Sequence, residues 1–552
     1  MNLITDNWLP VIRASGKLEK VAPWQIAEKD DPIIELNAPR PDFQGALYQF
    51  LIGLLQTCFA PVDEEEWLDY WEKLPKEELL HEKFMNMALA YNIDDPVGPN
   101  FMQDYEDFEG EELPIEDLIG GALSDNTRHN NRDLFIKRDY IKQISPYWAA
   151  IALFNLQITG VLAWGQHRIG MRGNGPVTTI VMPTNDHTVI WKKIWLNVLT
   201  EEQSVSVPGN INKKNKEFIL PWLTTTRKSH NKKATLPEHG HPLQVYWPMP
   251  RRIRLFVEDV ETICDICGDK IDRVVRYYKR IKDGVFYKDG WKHPLTPYIR
   301  YNKESFPQAV TGSKISFDYR DWSSLTINGY VDDKECACAQ IVSVFQAERS
   351  RDIGDSGRLW CFAYDADSAQ VVRWYEARFP ILCTDAARTE SIRAWVNELI
   401  EAAKYHILAL KQALIRAWFN PRKSRTGNDT WSHVVNKKGN IVNNSGKSIP
   451  QHLSTLHFIE ENFWKDTEPS FFQMLSDVME MADSRDRPLA IYKRWIEDIR
   501  RYSIKTFESE AFSFSAEERS IKRAVSAKKY LFNELWPAKG FLAELNELID
   551  TI

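Results

Sequence analysis

Apolar residues are spaced in two different ways along this chain. Residues 1 to about 100 mix short β-like runs with helical ones. Thr5-Asp6-Asn7-Trp8 predicts a turn that leads into a strand at Leu9-Pro10-Val11-Ile12. Phe43 to Phe59 (FQGALYQFLIGLLQTCF) is apolar on nearly every face, which predicts a buried helix, stopped by Pro61; Glu64 to Trp71 starts another. Arg358 to Leu382 reads as strand, turn, then strand or helix, with AYDADSAQ at the corner. From Thr384 the period becomes helical. Over Thr384 to Phe419, Ile392, Trp395, Val396, Leu399, Ala403, Ile407, Leu410 and Leu414 form one stripe that Asn420-Pro421 ends. A polar, Asn/Gly-rich loop follows from Gly427 to Ser448. Ser454 to Met481, Leu489 to Phe507 and Ser515 to Trp536 predict three more helices, the last opened by a Ser515-x-x-Glu518 capping box. The expected class is α+β: a mixed domain with irregular sheets and long loops over 1–383, then a four-helix bundle over 384–552.

Composition narrows the function classes. Among 552 residues, 43% are hydrophobic and 20 are Trp, which predicts well-packed globular domains. A net charge of −7 argues against nonspecific coating of nucleic acid, while leaving room for local basic patches. No apolar run has the length of a membrane span, and MNLITDNWLPVIR lacks a signal-peptide core. Seven cysteines, odd in number and sparse, point to a reducing cytoplasm.

Several stretches carry candidate chemistry. In Ile151 to Val181, Gly160, Gly165, Gly170, Gly173 and Gly175 alternate with Gln166, His167, Arg168 and Arg172. Glycine at that density permits sharp turns and close approach, and the arginines suit phosphate oxygens or groove edges; a structural turn with a basic rim is the alternative. The spacing matches neither a P-loop nor a dinucleotide fingerprint. Ser124 to Lys142 is a basic, Asn-rich loop around Leu134 and Phe135, either a binding loop or a surface insertion. Cys264-Asp-Ile-Cys267-Gly is a zinc-knuckle half-site that needs two more ligands. The Cys336/Cys338 pair is one source of them, and a zinc-free turn is the alternative. Arg273 to Lys292 interleaves cations, Lys282 among them, with aromatics, and predicts a hairpin with its tip at Asp283-Gly284 that suits nucleic-acid contact; an ordinary strand with charged outward positions is the alternative. Asp104 to Asp117 carries eight carboxylates in fourteen residues without ligand spacing.

Taken together these stretches resemble one family, the large subunit (CasA) of the type I-E CRISPR surveillance complex, Cascade. The resemblance rests on DNWLPV at Asp6 to Val11, FMQ at Phe101 to Gln103, IALFN at Ile151 to Asn155 and G-x-R-G-x-x-PVTT from Gly170 to Thr179. NVLT at Asn197 to Thr200, the cysteine knuckle with its basic hairpin, WxHPxxP at Trp291 to Pro297 and AYDAD around Tyr364 extend it along the chain. It implies a subunit without catalytic activity. Such a subunit reads the protospacer-adjacent motif (PAM) on duplex DNA, largely from the minor groove, and opens the strands for guide-RNA pairing. It then holds the displaced strand and recruits a helicase–nuclease. On this sequence the resemblance puts the minor-groove loop at Leu162, Ala163, Trp164, Gly165 and Gln166, the lysine finger at Lys282 and the strand-separating wedge at Asp367 and Ser368. Phe135 and Lys137 fall in the guide-RNA loop, and Arg519, Lys522, Arg523, Lys528 and Lys529 face the displaced strand. Partners implied are crRNA, target DNA, the other Cascade subunits and the helicase–nuclease, with no membrane. No cofactor is required; zinc at Cys264 and Cys267 is optional.

Three departures from the family pattern stand out. Ala163, Trp164 and Gln166 intrude where the family's best-known member has glycines throughout the loop. The wedge is Asp367-Ser368 where the family has Asn-Gln, with Gln370 a substitute. The family's second CxxC falls on Ser145 and Trp148. Two rival readings remain: a metal-dependent nuclease built on Asp365/Asp367 or on His230, His239 and His241, and a scaffold subunit without DNA contact.

Overall fold

The structure, a computed structural model, describes all residues except 121–139, 162–169, 231–232, 332–333, 368–369, 385, 420–421, 424–428, 431–432, 436–440, 444–452, 482–486, 514–517 and 551–552. It divides into two compact units, Met1–Phe317 with Ser324–Cys383, and Asp318–Ser323 with Thr384–Ile552. The class is α+β, with mixed helices and small antiparallel sheets followed by a helical region.

Two buried helices organise the first unit. Helix α1 (Pro41–Cys58) begins with a proline whose fixed φ suits a first turn, and is buried from Asp42 to Gln56 except at Gln44. Helix α2 (Glu64–Glu72) follows, capped by Asp63, whose carboxylate accepts from Glu66 N at 2.9 Å. Helix α3 (Pro146–Thr159) starts at Ser145, whose Oγ accepts from Trp148 N, and ends at Gly160 in the left-handed region. Phe50 of α1 sits among Trp8, Tyr91, Phe101, Phe154 and Trp247, all edge-on with centroids 5.9–6.1 Å apart. The geometry lets positive ring edges meet negative faces.

Small antiparallel sheets surround this core, and three of them position the site. Strands β1 (Leu9–Arg13), β2 (Leu18–Val21) and β3 (Ile33–Leu36) pair in the order β2-β1-β3. Strand β4 (Glu111–Pro114) lies beside the long hairpin of β6 (Arg252–Ile263) and β7 (Lys270–Ile281), with β7 central. Strand β5 (Thr178–Met182) pairs with β8 (Arg358–Asp367), which also pairs with β9 (Gln370–Pro380). Tyr364 of β8 ties this sheet to both helices: its hydroxyl donates to Asp42 at 2.7 Å and accepts from Asn155 Nδ2 at 2.7 Å. The basic hairpin is displaced from its predicted position. Its turn is the cysteine knuckle between β6 and β7, whereas Asp283, at φ +63°, ends β7 in a tight bend.

The second unit holds α4 (Ala386–Trp418), α5 (Leu453–Glu480), α6 (Leu489–Ser513), α7 (Glu518–Leu535) and α8 (Phe541–Asp550). The predicted stripe of α4 is buried throughout. Helix α8 is one more than the four-helix expectation, and Leu542, Leu545 and Ile549 bury its inner face. The Ser515 cap lies outside the described residues. Tyr319 from the inserted segment stacks on Phe471 at 4.4 Å and meets the edges of Trp464 and Trp495, its hydroxyl 2.9 Å from Thr467 Oγ1.

His406 of α4 lies fully inside this unit. Its Nδ1 bonds to Ala402 O at 2.7 Å while Nε2 has no partner. Burial pushes its pKa down to about 4, and the Arg500 guanidinium adds to the effect. In the unfolded chain a histidine titrates near 6.5, so between these values the unfolded state binds a proton that the native state refuses. The stability this neutral ring supports is complete above pH ~6.5 and declines as pH falls toward about 4, by roughly 3 kcal/mol in all. His406→Leu is therefore expected to flatten the dependence of urea-unfolding midpoints on pH across that window. An unchanged slope would assign the acid sensitivity to other groups.

Candidate nucleic-acid interface

The C-terminal end of α3 is a junction where backbone meets backbone. Gly160, at φ +65°, lies so close to Gly170 and Gly173 that an added Cβ would sit 2.3 Å from Gly170 N and 2.4 Å from Gly173 O. Gly170 and Gly173 bridge each other, and Gly175 N donates to Thr159 O at 2.8 Å. Gly175 and Gly312 each place an imagined Cβ 2.4 Å from Tyr364 O, and Gly312 N donates to Gly175 O at 2.9 Å. Only residues without side chains allow approaches this close.

Two buried guanidiniums close the helix end. Arg172 donates to Ile158 O at 3.3 Å, Gln49 Oε1 at 3.0 Å, Thr296 Oγ1 at 2.9 Å and Thr178 Oγ1 at 3.2 Å, while its Nε has no partner. Arg251 donates to Gly160 O at 2.8 Å, and its own backbone is gripped on both sides by the Gln157 amide. Burial lowers Arg172 to a pKa of about 10 and Arg251 to about 9, so both stay charged at neutral pH. Cations placed on final carbonyls complement the negative end of a helix. This corrects the reading of Arg172 as a phosphate-facing rim residue: at 4% exposure it is a structural cation.

The same junction gathers three of the nominated segments. Residues 161 and 170 are the stem of the loop holding Leu162 to Gln166, which itself lies outside the described residues. Gly284 packs so tightly on Pro250 and Arg251 that a Cβ would reach 1.9 Å from Pro250 O, which fixes the bend holding Lys282 beside the Arg251 anchor. Lys282 itself is exposed. Tyr364 leads along β8 to the turn where Asp367 pairs with Gln370; Ser368 and the Asp367 side chain are outside the described residues. Phe135 and Lys137 are also outside them.

The bundle cations differ in exposure. Lys522 and Lys529 are exposed on α7. Arg523 donates to Ala417 O at 3.2 Å and Lys528 is paired with Glu508, so both serve packing within the unit. The Arg519 side chain is not described. An aspect the sequence did not expose is apolar: Ile521, Val525 and Phe532 are exposed on the same helix as the lysines, and Trp536 is exposed just past its end.

The two knuckle cysteines shift each other's pKa in opposite directions. The Cys267 thiol holds Cys264 well below the usual thiol range, and Cys267 is pushed up in turn. Cys338 contacts Asn328 and Ser343, away from the knuckle, and among the described residues no group of three or more His, Cys, Asp or Glu side chains is arranged to hold a metal ion. His239 and His241 use Nδ1 to accept the backbone amides of Leu236 and Leu243, as turn-forming acceptors. Asp365 lies opposite Arg373 in the β8–β9 ladder.

A profile of the family described as CRISPR-associated protein Cse1 matches residues 2–506. The chain belongs to that family. Family membership agrees with the CasA resemblance of the sequence. Solved structures share the family's fold at low identity. CasA from Thermus thermophilus is 15% identical over 97% of this chain and 99% of its own, with a TM-score of 0.66. Thermobifida fusca Cse1 is 13% identical over 100% and 98%, with a TM-score of 0.67. A chain of a structure titled CRISPR RNA-guided surveillance complex is 14% identical over 96% and 99%, with a TM-score of 0.59. Among the described residues of this family member, no helix is long and apolar enough to cross a membrane.

The junction predicts a graded response to added methyl groups. Gly160→Ala meets two backbones and should destabilise by more than ~2 kcal/mol. Gly16→Ala also has positive φ but opens onto empty space and should cost only about 1 kcal/mol. Urea unfolding of both variants checks this. Equal losses would mean the close approach has no energetic consequence.

Proposed function

We propose that this chain is the non-catalytic large subunit of a type I-E Cascade complex, which recognises the protospacer-adjacent motif and starts strand opening. The observation that carries this reading is the convergence of three segment stems on the α3 junction. They are the glycine loop at 161–170, the bend bearing Lys282 and the β8–β9 turn at Asp367/Ser368. The minor groove presents a sparse pattern of acceptors, suited to backbone N–H groups and one probing cation. Lys282 has the exposure to serve as that cation. In such a subunit the β8–β9 turn acts as the wedge, since unstacking costs a few kcal/mol per step and must occur next to the bound motif. In this role the 124–142 loop with Phe135 and Lys137 contacts crRNA and neighbouring subunits. Lys522 and Lys529 attract the displaced strand, and the bound complex presents a surface for the helicase–nuclease.

The test is equilibrium binding of the reconstituted complex to a motif-bearing duplex. Lys282→Ala should weaken binding by about 10–100-fold, the range for loss of one good groove contact, without altering assembly. Lys288→Ala, at another exposed lysine further along the same segment, should change it little. Unchanged affinity for Lys282→Ala removes it from the site. A complex lacking this chain that binds as well as the whole one favours the scaffold reading. DNA cleavage by the purified chain with Mg²⁺, Mn²⁺ or Zn²⁺ favours the nuclease.

A further inference from the structure

We infer that the cysteine knuckle of this chain is a metal-free staple, in which the Asp265 carboxylate makes the cross-link that zinc supplies in the family pattern. A structural zinc needs four donors in a tetrahedron, and its mechanical role is to join two pieces of chain. Here the two pieces are the β6–β7 turn and the segment just before α3. The family's second pair of thiols would come from positions 145 and 148, and neither position offers a donor side chain for the metal. The Ser145 hydroxyl caps α3, and its backbone N–H points at Cys264 Sγ, 3.4 Å away. Trp148 is 4% exposed, stacks on Phe43 at 5.6 Å and meets the edge of Trp8. One ligand position has thus become a helix cap and the other part of the aromatic core.

The join is made instead by hydrogen bonds. Asp265 Oδ2 accepts from Lys142 N at 2.7 Å and Gln143 N at 2.9 Å, and Asp265 N donates to Gln143 O at 3.0 Å. The Gln143 side chain continues the seam, donating to Thr262 Oγ1 at 2.7 Å and accepting from Arg276 at 3.0 Å. Ile144 and Val275 then exchange both backbone bonds, at 2.8 and 3.1 Å. The remaining acidic neighbour, Asp269, is occupied by Lys20 at 2.6 Å and by the Cys267 thiol at 3.2 Å. A carboxylate accepting two backbone N–H groups is among the stronger hydrogen-bonded arrangements, and it requires no metal supply.

Elemental analysis and thermal unfolding of the full-length chain, produced in zinc-supplemented medium, test this. The expected zinc content is far below one ion per chain, and a chelator leaves the melting temperature unchanged. Asp265→Ala should lower the melting temperature and accelerate amide exchange at Lys142 and Gln143, more than the Cys264→Ser/Cys267→Ser double variant does. One zinc per chain, removed by chelator with a fall in melting temperature, overturns the inference; so does a larger loss from the cysteine double variant. If Asp265→Ala does not accumulate, amide exchange in the unaltered protein decides. Protected amides at Lys142 and Gln143 support the staple and freely exchanging ones refute it.

Discussion

The close packing of main chain on main chain at the end of α3 is the constraint on which the rest of the first unit depends. A helix end leaves carbonyl groups without partners, and α3 ends in the protein interior, where water cannot supply them. Gly175 N, Arg172 and Arg251 take over that task at Thr159, Ile158 and Gly160. Gly175 and Arg172 come from the glycine segment and Arg251 from just before β6, so satisfying one helix terminus also fixes two other segments against it. Tyr364 extends the same logic. Its carbonyl receives the glycines and its hydroxyl joins Asp42 to Asn155, so a single residue of β8 registers the sheet against both buried helices.

Much of this architecture could be read from the sequence wherever one periodicity prevailed over a long run. The stripe from Ile392 to Leu414 gave α4, and the uniform apolarity of Phe43 to Phe59 gave α1. Short elements whose placement depends on distant partners could not be read. Glycine density between Gly160 and Gly175 marks a turn, but nothing local says that its partners are Gly312 and Tyr364. The helix Phe541–Asp550 left a usable signal, Leu542, Leu545 and Ile549 after Gly540 at φ +94°, in a stretch short enough to pass for a tail. Asp318–Ser323 left a weaker one. Tyr319 and Trp322 are ordinary aromatics in sequence, and only packing shows that they belong to the helical unit.

The basic hairpin illustrates how turn chemistry alone misplaces an element. Asp-Gly at 283–284 has the composition of a hairpin turn, and Asp283 does adopt positive φ. The flanking residues decide otherwise, because Gly284 is drawn against Pro250 and the following segment passes beside Thr235, not back along β7. The long register of β6 on β7, from Arg252 with Ile281 to Ile263 with Lys270, already satisfies that edge. A strand can accept a neighbour on each side, and β7 has both in β6 and β4. No edge of β7 remains for the hairpin that the composition suggests.

Charge shows the same dependence on context. A cation contributes to nucleic-acid affinity when it can exchange solvent counterions for phosphates, and then the contribution falls with salt. Arg172 fails that condition because it is enclosed and bonded to hydroxyl, amide and carbonyl oxygens. Arg523 and Lys528 have partners within their own unit, so a phosphate would have to displace a carbonyl or a carboxylate before gaining anything. Lys282 and Lys529 are exposed, so a phosphate reaches them through solvent alone. A chain of net charge −7 therefore need not be a poor reader of DNA: what counts is where the fold leaves its cations, at the surface or inside its own packing.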